Sequence, residues 1–160
     1  MNGNLVFAFA LGIGIVAGLR AMTAPALVSW AAGLGWLDLH GTPLGFVGST
    51  AAVAILSLGA VGEYVNDKLP KTPSRTALPG LLARIVTGGL SGACLCVSAG
   101  QSLVAGGLLG AIGAVLGAFG GYQVRTRLVR SLNVKDIFVA IPEDLVAIGL
   151  ALLFVWRRPL

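Results

Sequence analysis

Long apolar runs separated by short polar segments make up most of the 160-residue sequence. An α-helix needs roughly 20 apolar residues to cross the hydrocarbon core of a bilayer, which is about 30 Å thick. The apolar runs that approach or exceed this length are residues 5–34, 44–64, 78–99, 103–124 and 137–156. Because the connections are short, we expect a single transmembrane domain over residues 1–160. The pattern predicts an all-α integral membrane protein with about five transmembrane helices.

The first apolar run is too long for one straight span. It would make about 45 Å of helix, and it contains Arg20 and Pro25. Proline lacks a backbone N–H, and its ring clashes with the carbonyl group four residues earlier, here that of Ala21. We therefore expect one first helix, broken or kinked between Arg20 and Pro25. The alternative is a re-entrant N-terminal hairpin with four further spans and an N-terminus outside the cell.

Composition agrees with the membrane interpretation. Hydrophobic residues account for 56% of the chain and charged residues for 11%, and the mean hydropathy is +0.92. Soluble domains carry about 25% charged residues, and disordered chains combine low hydrophobicity with high charge. The composition therefore argues against a soluble globular enzyme and against disorder.

Loop charges predict the orientation of the chain. Positively charged loops stay on the cytoplasmic side of a membrane, and the loops at residues 66–76 and 125–135 are basic. Their cations are Lys68, Lys71, Arg75, Arg125, Arg127, Arg130 and Lys135. We expect a multi-pass protein of the cell inner (plasma) membrane with both loops in the cytoplasm. Five spans would place the C-terminus outside, where Arg157 and Arg158 mildly violate the rule. The net charge of +5 then has a topological origin, and no nucleic-acid partner is expected.

Glycines recur with helical spacing in the fourth run. Residues spaced by four share a helix face, and small residues there let a second backbone approach closely. The glycines concerned are Gly106, Gly110, Gly113, Gly117 and Gly121. They predict either helix packing within the chain or a contact face in a homo-oligomer.

Arg20 is the strongest candidate for a functional residue. An arginine this deep in an apolar run is energetically costly unless it faces a partner, a cavity or the interface. It is therefore either a paired or snorkelling side chain or part of a site for an anion or carboxylate. Thr23 would add a hydroxyl group to such a site.

Acidic residues occur at two predicted helix ends. Glu63 and Asp67 lie four residues apart at the end of the second run, and Glu63 can pair with Arg84 on the third. Glu143 and Asp144 follow Pro142. If a helix begins at Ile141 or Pro142, the acids suit its positive N-terminal dipole. Otherwise they are intramembrane carboxylates on an ion or proton pathway.

No constellation of residues predicts an enzyme, a metal site or a cofactor. The only histidine, His40, lies in a loop beside Asp38. A match to a dinucleotide-binding glycine pattern begins at Gly12, but the motif requires a βαβ unit and an apolar run follows instead.

Several of these residues also carry a family resemblance. They are the run Gly18-Leu-Arg20-Ala-Met-Thr-Ala-Pro25-Ala, the element Glu63…Asp67-Lys-Leu-Pro70, the group Gly120-Gly121-Tyr122…Arg125, and Glu143-Asp144. Together they resemble a bacterial integral-membrane family of unknown function, the DUF4126 type. The resemblance implies a small multi-span inner-membrane protein and implies no activity.

These observations favour a transporter or channel for a small solute or ion, acting as a homo-oligomer in the lipid bilayer. The candidate pathway residues are Arg20, Thr23, Glu63, Arg84, Glu143 and Asp144. The alternative is a non-transporting membrane scaffold or accessory subunit, in which the charges only pair with one another.

Overall fold

The computed structural model describes residues 3–66, 77–133 and 136–156, and within these ranges the fold is entirely helical. The helices are α1 (Gly3–Leu19), α2 (Thr23–Gly33), α3 (Thr50–Asn66), α4 (Leu78–Ser98), α5 (Leu103–Leu132) and α6 (Asp136–Val155), with a 3₁₀ helix at Gly45–Gly48 before α3. The all-helical class predicted from the apolar pattern is confirmed.

Within the described ranges, three helices are long and apolar enough to cross a membrane by length and composition. Their candidate spans are Leu78–Ser98, Leu103–Leu132 and Phe138–Val155. The helices Gly3–Leu19 and Thr50–Asn66 are shorter and also apolar. These lengths are consistent with a multi-pass membrane protein.

The chain reverses direction between α1 and α2. Arg20, in the connecting turn, contacts Asp144 on α6. The ring of Phe9, earlier on α1, lies 5.4 Å from the ring of Phe154, and the ring of Trp36, just after α2, lies 5.5 Å from that of Trp156 at a tilt of 54°. Both aromatic contacts lie toward the C-terminal end of α6, so α1 and α2 run antiparallel from the turn.

The first run is broken where the sequence predicts it, between Arg20 and Pro25, since α1 ends at Leu19 and α2 begins at Thr23. The physical reason lies in the position of Pro25. It occupies the third position of α2, where a backbone N–H has no acceptor within the helix, so proline is tolerated there. The proline therefore belongs to the beginning of a new helix instead of kinking an existing one.

Glycines bring α1, α4 and α5 into close contact. A Cβ atom at Gly14 of α1 would collide with the carbonyl oxygen of Gly110, and one at Gly117 with that of Ile15. On the α4 side, a Cβ atom at Gly92 would collide with the carbonyl oxygen of Gly106. Only glycine permits these backbone contacts without a shift.

The structure places four of the five predicted glycines against other helices of the same chain. Gly106 and Gly110 face α4, and Gly113 and Gly117 face α1. Gly121, the fifth, is half-buried. These contacts agree with helix packing within the chain, and they occupy the face that a homo-oligomer would have used.

The two ends of the helix bundle differ in chemistry. At one end α1, α3 and α5 end and α2, α4 and α6 begin, and the last turns of α5 carry Arg125, Arg127 and Arg130. We call this the basic end. The opposite end carries Trp36 and Trp156, and we call it the tryptophan end.

The close helix contacts generate a prediction about stability. We expect Gly117→Ala to lower the free energy of unfolding by about 1–3 kcal/mol, because its methyl group would overpack against the α1 backbone. Gly120→Ala is the matched control on the same helix, since a Cβ atom there meets nothing within 4 Å. The control should be neutral or stabilising by up to about 1 kcal/mol, because alanine favours a helix over glycine.

Thermal or denaturant unfolding of the detergent-solubilised protein, followed by circular dichroism, measures both changes. Equal effects of the two substitutions would contradict the packing described for α5.

Candidate functional site

Glu63, near the end of α3, caps the beginning of α2. The backbone N–H groups of Ala21 and Met22 donate to its two carboxylate oxygens, each at 2.8 Å. N–H groups at a helix beginning have no acceptor within the helix and carry the positive end of its dipole. A carboxylate is thus the side chain that best stabilises this position, and it ties α3 to the turn.

Arg84, near the beginning of α4, caps the other helix end at this turn, the carbonyl end of α1. Its Nε donates to the carbonyl oxygen of Gly18 at 3.1 Å, and its Nη1 donates to that of Gly80 at 3.0 Å. Carbonyl groups at a helix end carry partial negative charge, so a cation stabilises them. Arg84 also lies 3.7 Å from Glu63 through Nη2 and Oε1, which is the ion pair that the sequence suggested.

Arg20 is the most deeply buried charge, with 1% of its surface exposed. Its Nε donates to Oδ1 of Asp144 at 2.7 Å, and Nη2 forms an ion pair with the same oxygen. The guanidinium lies 5.2 Å from the ring centroid of Tyr64, within cation–π distance. The Tyr64 hydroxyl in turn lies 2.9 Å from that of Thr23.

The acids of α6 are intrahelical carboxylates. Helix α6 begins at Asp136 and contains Pro142 in its interior, so of the two alternatives the one with a helix start at Ile141 or Pro142 is wrong. The apolar residues before Pro142 form the first turns of the helix. Asp144 faces Arg20, and Glu143 lies 3.6 Å from Arg125 of α5.

The structure brings all six predicted pathway residues to the basic end. Arg20, Thr23, Glu63, Arg84 and Asp144 surround the α1–α2 turn, and Glu143 binds α5 nearby. We call this set, with Tyr64 and Arg125, the charged cluster. Asp67 and the basic residues Lys68, Lys71, Arg75, Lys135, Arg157 and Arg158 lie outside the described residues.

Sequence reasoning missed two side-chain members of the cluster and both backbone donors. Tyr64 is not among the residues that the sequence singles out, and Arg125 belongs to a predicted basic loop although α5 continues through it. The N–H groups of Ala21 and Met22 leave no residue-type signal. Two features of the sequence were available as clues. Tyr64 directly follows Glu63, and Glu143 is an acid with which Arg125 can pair.

The charges of the cluster compensate one another. Three arginines face three carboxylates in the pairs Arg20–Asp144, Arg84–Glu63 and Arg125–Glu143. Among the described residues, every buried side-chain nitrogen and oxygen has a hydrogen-bond partner. Paired and hydrogen-bonded charges are the form in which ionisable groups are tolerated in an apolar surrounding.

A pocket lies near the opposite end of the bundle. It has a volume of about 440 Å³ and is lined by the end of α2, the following loop and the 3₁₀ helix before α3, including His40 and Ser49. The backbone N–H of His40 donates to Asp38. The described residues contain no group of three histidine, cysteine or acidic side chains that could hold a metal ion.

The capping role of Glu63 generates a prediction. We expect Glu63→Ala to lower the free energy of unfolding by about 2–4 kcal/mol, because it deprives two N–H groups and Arg84 of a charged partner. Ser57→Ala is the matched control, since it removes one exposed α2–α3 hydrogen bond, from Trp30 to Ser57. The control should change stability by less than about 1 kcal/mol.

Unfolding of the solubilised variants by heat or denaturant measures the difference. If Glu63→Ala were no more destabilising than Ser57→Ala, the carboxylate would not hold the turn.

Comparison with known proteins identifies a family and no activity. No curated protein and no solved structure matches the chain. A family model described as a domain of unknown function, DUF4126, matches residues 7–159. The matched range contains the whole charged cluster and nearly the whole chain, and it confirms the family indicated by the sequence motifs. The chain belongs to the DUF4126 family.

Proposed function

We propose that the protein moves a small solute or ion across a membrane and that the α1–α2 turn is its gate. The observation that carries the proposal is the position of the charged cluster. Ionisable side chains are costly in an apolar bundle and commonly mark pathways for solutes, ions or protons. Here they converge on the point where a helical hairpin reverses, and Arg20 lies at the centre.

Discontinuous helices support this proposal on general grounds. In membrane transporters, interrupted helices expose backbone groups and dipole ends near the solute site. In this chain the beginning of α2 binds the carboxylate of Glu63, and the guanidinium of Arg20 binds that of Asp144. The turn therefore offers a cation and two N–H donors, which are groups suited to binding an anion. An incoming ion or solute would exchange with one of the resident carboxylates.

The ion pairs account for a closed gate at the basic end. Arg20–Asp144 joins the turn to α6, Arg84–Glu63 joins α4 to α3, and Arg125–Glu143 joins α5 to α6. The pocket beside His40 lies toward the tryptophan end. Alternating access requires that one end be closed while the other is open, and in this proposal the ion pairs form the closed end.

The proposal includes an orientation and a site of assembly. The basic end lies in the cytoplasm, because positively charged segments are retained there. The beginning of α1 and the end of α6, which lie at the tryptophan end, would then face the other side of the membrane. A homo-oligomer would use α3, whose Ile55, Leu58 and Val61 are more than half exposed.

A flux experiment tests the proposed function. Purified protein is reconstituted in liposomes, and proton, potassium, chloride and acetate fluxes are read with pH-, potential- and chloride-sensitive dyes. We expect flux of at least one probe above protein-free liposomes. Arg20→Gln should lower it about ten-fold or more, because a charge-assisted contact to the permeating species is lost.

Ser57→Ala is the control and should retain wild-type flux, since Ser57 contacts α2 at an exposed position outside the cluster. The proposal is contradicted if no probe moves, or if Arg20→Gln and Glu143→Gln both equal the wild type.

A scaffold or accessory subunit is the second candidate function. The pairing of the charges in the cluster favours it, because charges that satisfy one another need no role beyond holding helices together. A stoichiometric protein partner that co-purifies with the solubilised chain would support this candidate. A chain that purifies alone and conducts in liposomes would exclude it.

A further inference from the structure

The described arginines fall into two groups. Arg20, Arg84 and Arg125 are paired with carboxylates of the charged cluster. Arg127 and Arg130 lie on the last two turns of α5 and are exposed. Over residues 3–66, 77–133 and 136–156 the structure gives these two side chains no ion pair. Both side chains are therefore accessible from the surroundings of the helix.

The length of α5 indicates the depth at which these arginines lie. The helix has 30 residues, which makes it about 45 Å long. From Leu103, about 20 residues cross the hydrocarbon core and end near Tyr122, an exposed aromatic residue of the kind that favours the membrane interface. The remaining turns of α5 then lie at the depth of the lipid headgroups.

The same turns carry an exposed apolar stripe. Val124, Leu128 and Leu132 are spaced by four, so they share a helix face, and they are 57%, 40% and 61% exposed. Such a stripe is poorly suited to water and well suited to the boundary between headgroups and acyl chains. The end of α5 is thus amphipathic, with apolar side chains for lipid and arginines beside them.

We propose that Arg127 and Arg130 bind the phosphate group of an anionic phospholipid. The two residues are three apart, so their side chains are neighbours on the helix surface and both can reach one headgroup. A guanidinium binds phosphate oxygens with two parallel hydrogen bonds. The inference requires the membrane location of α5 and does not depend on transport.

The test compares lipid binding by the full-length protein in detergent. Phosphatidylglycerol and phosphatidylcholine are titrated separately, and binding is read by native mass spectrometry. We expect the wild type to prefer phosphatidylglycerol and Arg127→Gln/Arg130→Gln to lose about 25-fold of this preference, since each cation near an anionic lipid contributes about five-fold. Raising the salt concentration should weaken the wild-type preference by screening.

Two further variants separate headgroup binding from general charge and from misfolding. Arg157→Gln/Arg158→Gln removes the same charge after α6 and should keep the preference. Arg127→Lys/Arg130→Lys keeps both charges and should restore most of it. The proposal is overturned if Arg127→Gln/Arg130→Gln keeps the wild-type preference, if the control loses as much, or if inorganic phosphate binds as strongly as phosphatidylglycerol.

Discussion

The fold depends on how a helical chain can reverse inside an apolar bundle. At the turn between α1 and α2, one helix ends with carbonyl groups and the next begins with N–H groups that have no partner within their helices. Glu63 accepts from the N–H groups of Ala21 and Met22, and Arg84 donates to the carbonyl of Gly18. The sign of each side chain opposes the dipole end that it meets. An uncharged turn would leave backbone groups exposed to an apolar surrounding, at several kcal/mol each.

This one constraint explains why charges gather at the basic end. The capping groups come from α3 and α4, so those helices must meet at the turn, and their charges compensate each other. Arg20 then fastens the turn to α6 through Asp144. The close approach of α1 to α5, made possible by glycines such as Gly14 and Gly117, sets the depth of the turn in the bundle. Capping and the proposed gating thus require the same side chains, because any movement of the turn must exchange these contacts.

Much of the architecture could be predicted from sequence, and the exceptions have physical reasons. The apolar runs located α4 and α6 closely, and Arg20 and the Glu63–Arg84 pair were found because charge in an apolar run demands a partner. Pro25 was ambiguous, since a proline that kinks one helix and a proline in the first turn of another look alike in a sequence. The end of α5 was read as a loop because its leucines alternate with arginines. The backbone donors at the turn were invisible to any argument from residue types.

The central claim is that the carboxylate of Glu63 holds the N–H groups at the start of α2. Amide hydrogen exchange, resolved by NMR in detergent micelles, measures this contact directly. We predict that the amides of Ala21 and Met22 are protected in the wild type and exchange freely in Glu63→Ala, which lacks both acceptor oxygens, while amides in the middle of α5 keep their protection. Rapid exchange at both positions in the wild type, or unchanged protection in the variant, would contradict it.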